Sequence, residues 1–362
     1  MSCATSVPDR ISVLLTGAGG SAAANVLDSL RRADTPYRVV GADVSPVRLH
    51  LSAADDRCIL PRADDETFER ALMSTLRTFD IHVLHAQPDP EVRRIGLLRG
   101  ELPVGLFLPS QAAIELAGDK ARFAQRMEQA GVAVPVSLDF TDRSSVAERT
   151  QQLLSTYERV WIRARVGAGA RASLPVRSAE QALSWIDWWV DEKGMSPVDF
   201  MGAEMLPGRE FAYQSLWQDG ALIAGQARER VEYLYGFLTP SGQTSTPAVA
   251  RTVREPCIDE LAQRAVRALD PRPHGVYCVD IKEAADGAPK VTEINAGRFF
   301  TTCNFFAAAG LNMPDMAMRA ALGEALPLRG SSPLEPDLYW IRMVDMGYAL
   351  VPGSELDLWP RP

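Results

Sequence analysis

The chain has 362 residues, 46% of them apolar, and its 46 acidic and 38 basic side chains give a formal net charge of −8. This length and composition predict a globular protein of two or three lobes. The acidic balance argues against nucleic acid as a partner, because such a surface needs a basic stripe. No apolar run reaches the roughly 20 residues of a membrane span, and no secretory signal is visible. We therefore expect a cytoplasmic protein without a membrane partner, with its five scattered cysteines as reduced thiols.

The first lobe, at residues 1–117, alternates short apolar runs with helical stretches. Strands are predicted at 11–16, 38–43 and 81–86, and helices at 21–32 and 65–79. This alternation is typical of a parallel, Rossmann-like sheet.

The turn after the first strand allows two interpretations. Residues 17–22 fit the pattern GxGxxA, and Asp43 ends the next strand at a suitable distance. This arrangement matches the glycine-rich motif of dinucleotide-binding domains and is compatible with an NAD(P)-dependent oxidoreductase. The same turn can instead support lobe packing, or hold an anionic group of a substrate at the N-terminus of the following helix.

The next segment supplies candidate cations. A helix is predicted at 119–131, capped by Asp119 and stopped by Gly131. Lys120, in its first turn, is either a solvated lysine or a flexible point charge for a phosphate.

A strand with two arginines and a glycine loop follow. Arg163 and Arg165 alternate on the strand WIRAR, and we expect them to share a face. Adjacent like charges repel, which favours an anion between them. The loop that follows contains Gly167 and Gly169, whose backbone N–H groups can approach phosphate oxygens closely. A solvated edge strand and a plain turn are the alternatives.

The strongest chemical signal is a hairpin that turns at residues 286–287. Its second strand places Glu293 and Asn295 on one face, and Asp280 on the first strand can lie beside them. Three oxygen-bearing side chains of this kind suit Mg²⁺. The alternative is a hairpin with a solvated polar face.

Four segments, in this order, resemble the ATP-grasp ligases: 118–135, 160–173, 203–217 and 276–295. Two departures are visible. Arg163-Ala164 stands where the family usually has a lysine followed by proline, and the usual Asn-Pro-Arg spacing is lengthened so that Arg298 follows Asn295 by three residues.

The resemblance implies roles for individual residues. Cations on the nucleotide phosphates are Lys120 and Arg163, under a flap with Gly167 and Gly169. The adenosine stretch contributes Glu204, the backbone of Met205 and Leu206, and Glu210 on the ribose. Asp280, Glu293 and Asn295 hold Mg²⁺. The catalytic residues are Lys120 and Arg298, with Arg230 as the runner-up for the substrate carboxylate.

The resemblance also implies an α/β protein with the ATP-grasp fold. Residues 1–117 form a Rossmann-like pre-ATP-grasp domain, 118–202 a small α/β subdomain with the flap, 203–330 a mainly antiparallel α+β lobe, and 331–362 a C-terminal strand extension joined by a linker at 331–336. The implied function is an ATP- and Mg²⁺-dependent carboxylate–amine ligase that acts on small molecules, and a homodimer is compatible with this function. The alternatives are the NAD(P)-dependent oxidoreductase and a non-catalytic nucleotide-binding protein.

Overall fold

The computed structural model describes residues 10–167, 172–244, 246–345 and 347–355, and these residues form three β-sheets flanked by helices. The strands are β1 (Ile11–Thr16), β2 (Tyr37–Asp43), β3 (Asp56–Ile59), β4 (Val83–His85), β5 (Ser137–Asp139), β6 (Val160–Ala164), β7 (Leu174–Val176), β8 (Phe200–Glu204), β9 (Glu210–Gln218), β10 (Ala221–Tyr233), β11 (Pro247–Thr252), β12 (Gly275–Glu283), β13 (Pro289–Ala296), β14 (Gly330–Ser331), β15 (Leu338–Arg342) and β16 (Tyr348–Pro352). The helices are α1 (Ser21–Arg31), α2 (Pro46–Leu49), α3 (Phe68–Thr78), α4 (Asp89–Leu98), α5 (Gln111–Gly118), α6 (Lys120–Gln129), α7 (Arg143–Leu154), α8 (Ala179–Lys193), α9 (Pro256–Leu269), α10 (Asn304–Ala308) and α11 (Met313–Ala321).

The first sheet has the order β3-β2-β1-β4, and its strands run parallel. Every residue of β1 is buried, because helices and loops cover both faces of the sheet. The strands predicted at 11–16, 38–43 and 81–86 are confirmed as β1, β2 and β4. The carboxyl end of β4 leads directly into α4, which carries residues to the functional site.

The second sheet is antiparallel, with the order β5-β8-β6-β7. Helices α7 and α8 pack on it around a separate small core that includes Phe140, Ile162 and Ile186. The preceding helix α6 begins as predicted, because the Asp119 side chain accepts from the N–H groups of Ala121 and Arg122.

The third sheet has the order β13-β12-β9-β10-β11-β15-β16, and neighbouring strands along this order are antiparallel. The predicted hairpin is confirmed as β12 and β13. Its turn contains Gly287 at φ 83°, a left-handed conformation that favours glycine. In this register Asp280 lies opposite Glu293.

The predicted linker at 331–336 is wrong in part. Gly330 and Ser331 form β14, which pairs in parallel with β10, and the buried Ser332 hydroxyl donates to Asp259 at 2.9 Å. The segment is anchored because its backbone and hydroxyl groups find partners on β10 and α9. Strands β15 and β16 then extend the third sheet, in agreement with the predicted C-terminal strands. Among the described helices, none is long and apolar enough to cross a membrane.

Candidate functional site

A cavity of about 460 Å³ is lined by residues from the second and third sheets and from the loop after β4. All the site residues expected from the sequence that the structure describes lie around it: Lys120, Arg163, Gly167, Glu204, Met205, Leu206, Glu210, Arg230, Asp280, Glu293, Asn295 and Arg298. Gly169 lies outside the described residues. The geometry therefore brings together groups that are up to 178 positions apart in the sequence, from Lys120 to Arg298.

The candidate metal ligands meet across the β12–β13 hairpin. The amide nitrogen of Asn295 donates to an Asp280 carboxylate oxygen at 3.2 Å. The described residues contain no group of three or more His, Cys, Asp or Glu side chains placed to hold a metal. The donor set is thus two carboxylates and an amide, which fits Mg²⁺ because that ion usually keeps several waters and phosphate oxygens in its shell.

Burial and neighbouring charges act differently on the two carboxylates. Burial raises the pKa of Asp280, although Arg230 opposes the shift. Burial alone would also raise the pKa of Glu293, but three cations outweigh it and hold that pKa below its usual range. These cations are Lys120, Arg163 and Arg298. Glu293 is therefore the more strongly ionised ligand, in a setting already rich in positive charge.

Arg230 lies between two carboxylates at the centre of the third sheet. One of its terminal nitrogens donates to Glu210 at 2.8 Å, and the other donates to Asp280. Burial lowers the pKa of Arg230, but the carboxylates outweigh it and raise the pKa well above its usual value. Glu210 also accepts from Tyr233 and from Gln243. The oxygens expected to meet a ribose are thus already engaged by protein donors.

Arg298 is held by two partners. Its guanidinium pairs with Asp89, at the start of α4, and donates to the amide oxygen of Asn295. Asn295 consequently links Asp280 to Arg298 through its nitrogen and its oxygen. The candidate metal ligands and the candidate substrate-binding arginine form one continuous network.

Lys120 and Arg163 lie beside the glycine loop. The Lys120 ammonium donates to the Gly167 carbonyl at 2.6 Å and lies 3.5 Å from a Glu293 oxygen. Arg163 is buried, and both of its terminal nitrogens donate to the Thr292 carbonyl at 3.4 Å. Its Nε has no hydrogen-bond partner, and within the described part of the chain the guanidinium forms no ion pair. A buried guanidinium without a paired anion is costly, so Arg163 is well suited to a phosphate.

The prediction that Arg165 shares a face with Arg163 is wrong. Strand β6 ends at Ala164, and Arg165 turns away to pair with the Asp119 carboxylate at 3.1 Å. The N-cap of α6 therefore neutralises it, and it is not among the residues that line the cavity.

Another part of the cavity wall carries the residues that the resemblance assigns to the adenosine. Glu204, Met205 and Leu206 line it together with Pro135 and Trp161. One oxygen of Glu204 accepts from the Lys290 ammonium at 2.6 Å and from the backbone N–H of Val136 at 3.2 Å. The carboxylate is buried and fixed in orientation by these two donors.

The sequence interpretation did not include Lys282, Lys290, Gln87 and Asp89. Lys282 could have been found from alternation, because it lies two residues after Asp280 on the same strand. No local pattern marks Asp89 or Gln87, which reach the cavity only because β4 and the third sheet meet there.

The glycine turn lies outside the lining of this cavity. The Gly19 N–H donates to Asp43 at 2.9 Å, and a Cβ on Gly19 would lie 2.7 Å from the Arg48 Cβ. Asp43 thus already engages the Gly19 amide, and Arg48 of α2 leaves no room for a side chain at Gly19. A Cβ on Gly17 would lie 2.7 Å from Pro88 Cγ, so this glycine permits close packing beside the cavity wall.

No protein-family model matches the sequence, and a search of curated proteins finds no significant match. Solved structures do match the fold. Biotin carboxylase from Campylobacter jejuni superposes with a TM-score of 0.68 at 15% identity, over 91% of this chain and 74% of that chain. Carboxyaminoimidazole ribonucleotide synthase from Aspergillus clavatus gives 0.67 at 17%, over 92% and 81%. L-amino acid ligase from Bacillus licheniformis gives 0.67 at 14%, over 93% and 79%. The chain therefore has the ATP-grasp fold that these three ligases share.

Proposed function

We propose that this protein is an ATP-dependent carboxylate–amine ligase. The carboxylate substrate is activated as an acyl phosphate, and a nitrogen nucleophile then forms an amide, with release of ADP and phosphate. The observation that carries the proposal is the network in which Asp280, Glu293 and Asn295 adjoin Lys120, Arg163 and Arg298 around one cavity.

The charge balance of the lining supports a metal-bound triphosphate. Five basic side chains line the cavity: Lys120, Arg163, Arg230, Lys282 and Arg298. Five carboxylates also line it: Asp89, Glu204, Glu210, Asp280 and Glu293. The described side chains therefore cannot neutralise a triphosphate by themselves, and bound Mg²⁺ would supply the missing positive charge and shield the transferring phosphoryl group.

The side chains that line the cavity can support both the activation of the carboxylate and its transfer to the amine. A carboxylate oxygen attacks the γ-phosphorus, and the bond to ADP breaks. Repulsion between the two anions at about 4 Å is of order 1 kcal/mol in water and several times larger in a cleft. Arg298 can hold the substrate carboxylate, while Arg163 and Lys120 hold phosphate oxygens. The amine then attacks the carbonyl carbon, the phosphate leaves with the bonding electrons, and the nitrogen loses a proton.

The structural neighbours are consistent with this proposal. The biotin carboxylase and the carboxyaminoimidazole ribonucleotide synthase were solved as complexes with β,γ-ATP and ATP, and a related biotin carboxylase domain with MgADP. At the base end, Glu204 with its fixed orientation can accept from the exocyclic amine of adenine.

The oxidoreductase alternative has less support. The glycine turn does not line the cavity, and Asp43 already accepts from the Gly19 N–H. A non-catalytic nucleotide-binding protein is also disfavoured, because the complete carboxylate and cation set would have no use in it.

A screen of carboxylate–amine pairs by ADP release tests the proposal. We expect ADP and phosphate to form only when Mg·ATP and both substrates are present, and Glu293→Gln to abolish the signal. A thermal-shift titration adds a second readout, since a ligand that binds the native state raises its apparent stability. Stabilisation by NADH and none by Mg·ADP would reverse the assignment.

A further inference from the structure

A second cavity, of about 520 Å³, adjoins the first. Five residues line both: Asp89, Lys120, Gly167, Glu293 and Asn295. These residues surround the end of the first cavity assigned to the triphosphate and its metal. A molecule in the second cavity can therefore present a reactive group at the place where an acyl phosphate would form.

The walls of the second cavity are mainly apolar. They include Val92, Leu97, Ile114, Ala117, Val166 and Ile294. Leu97 and Val166 are more than half exposed, so part of this apolar surface faces solvent in the absence of a ligand. A ligand with an apolar body would remove this surface from water.

Charged groups lie at defined positions along one helix. Asp89, Arg93 and Leu97 occupy positions i, i+4 and i+8 of α4 and line the same cavity, so an acid, a base and an apolar side chain follow one another on one face. Arg93 is exposed and forms no ion pair within the described residues. The neighbouring Arg94 pairs with Glu69 at 3.4 Å. Arg93 is therefore the arginine of this cavity wall that is available to an anionic group of a ligand.

We propose that the second cavity binds the amine substrate, and that this substrate is an α-amino acid with an apolar side chain. The inference rests on the proposed ligase function and specifies its acceptor. The Asp89 carboxylate, shared by both cavities, receives the ammonium. Arg93 receives the carboxylate one helical turn further along α4, and the apolar side chain lies against Leu97 and Ile114.

The amide bond would form where the two cavities meet. The ammonium releases one proton to solvent, the neutral nitrogen attacks the acyl carbon, and the nitrogen releases a second proton to solvent as the amide forms. The new C–N bond forms as the C–O bond to phosphate breaks, and the phosphate leaves with the electron pair. Arg298 already pairs with Asp89, so the activated carboxylate and the amine approach the same carboxylate–guanidinium unit from its two sides.

Binding to the 362-residue chain with Mg·ADP present tests the proposal without turnover. The probes are L-leucine and L-phenylalanine, measured by calorimetry. Isoamylamine lacks the carboxylate, N-acetyl-L-leucine lacks the ammonium, and glycine lacks the apolar side chain. We expect L-leucine or L-phenylalanine to bind and each of the three comparison compounds to bind at least tenfold more weakly.

A variant locates the binding. Arg93→Gln should weaken L-leucine or L-phenylalanine at least tenfold and leave isoamylamine and Mg·ADP unchanged. The matched control is Arg70→Gln, because Arg70 is an exposed arginine on α3 that does not line either cavity.

The outcomes separate the inference from the proposed function. If Mg·ADP binds and neither amino acid does, or if isoamylamine binds as well as L-leucine, the amino-acid site is overturned and the ligase assignment stands. If Arg93→Gln behaves like Arg70→Gln, the site lies elsewhere and the proposal is overturned. If Mg·ADP itself fails to bind, the proposed function is the part that fails.

Discussion

A buried carboxylic acid beneath the site makes protein stability depend on pH. Glu91 lies in the first turn of α4, the helix that carries Asp89 to the cavities. It is 6% exposed, and its Oε2 has no hydrogen-bond partner. Burial raises its pKa from 4.5 to about 7, with a further contribution from Asp43. The folded protein therefore prefers this side chain protonated.

The sign and the size of the pH effect on stability follow from the difference between the pKa of Glu91 in the folded protein and its pKa in the unfolded chain. The folded pKa lies above the unfolded one, so the stabilising contribution is complete below about pH 4.5 and is lost as the pH rises to about 7. Each pKa unit corresponds to about 1.4 kcal/mol, so this group should lower the free energy of unfolding by about 3 kcal/mol across that window. Glu91→Gln does not titrate and keeps nearly the same shape.

Urea unfolding at pH 5 and pH 8 provides the measurement. We expect the stability difference between Glu91→Gln and the wild type to shift by about 2.5 kcal/mol in favour of the variant from pH 5 to pH 8, because part of the effect is already lost at pH 5. The exposed Glu101 supplies the control, because Glu101→Gln should leave the pH dependence unchanged. A pH-independent difference for Glu91→Gln would show that this carboxylate is ionised in the folded protein and would refute the reasoning.

Three further predictions concern the site. Glu293→Gln should lower turnover at least about 100-fold and remove the Mg²⁺ dependence of ADP binding, because the substitution deletes an anionic ligand. Near-wild-type activity of this variant at saturating Mg²⁺ would contradict the assignment of Glu293 as a metal ligand. Arg298→Lys keeps the charge but loses the planar fork, so kcat should fall on the order of 100-fold while ADP binding persists; full activity in this variant beside an inactive Arg230→Lys would exchange their roles. Gly19→Val should lower the unfolding midpoint or raise the KM of a substrate other than ATP, because the new side chain meets Arg48; a selective rise in the KM for ATP would show that the lobes are mapped wrongly.

The parts of the fold that local patterns specify could be predicted from the sequence. Alternation along β12 and β13, with a glycine at the turn, was enough to bring Asp280 opposite Glu293. The start and stop of α6 followed from Asp119 and Gly131 in the same way. These features depend on neighbours within about twenty residues, and propensity and periodicity describe such neighbours well.

Contacts between distant segments could not be predicted. Asp89 pairs with Arg298 across 209 positions, and Lys290 pairs with Glu204 across 86. Arg165 illustrates the same limit, because the end of β6 and the position of Asp119 decide where its side chain goes. Such pairings follow from how the sheets pack together, and a single sequence contains no local pattern for them.

The transfer of oxygen from substrate to phosphate tests the central claim most directly. With a carboxylate identified by the ADP-release screen and labelled with ¹⁸O in both oxygens, an acyl phosphate mechanism requires one labelled oxygen to leave in inorganic phosphate for each amide formed. We predict singly labelled phosphate and unlabelled ADP in equal amounts, with the other labelled oxygen retained in the amide. Unlabelled phosphate, or label recovered in AMP, would contradict activation at the γ-phosphate.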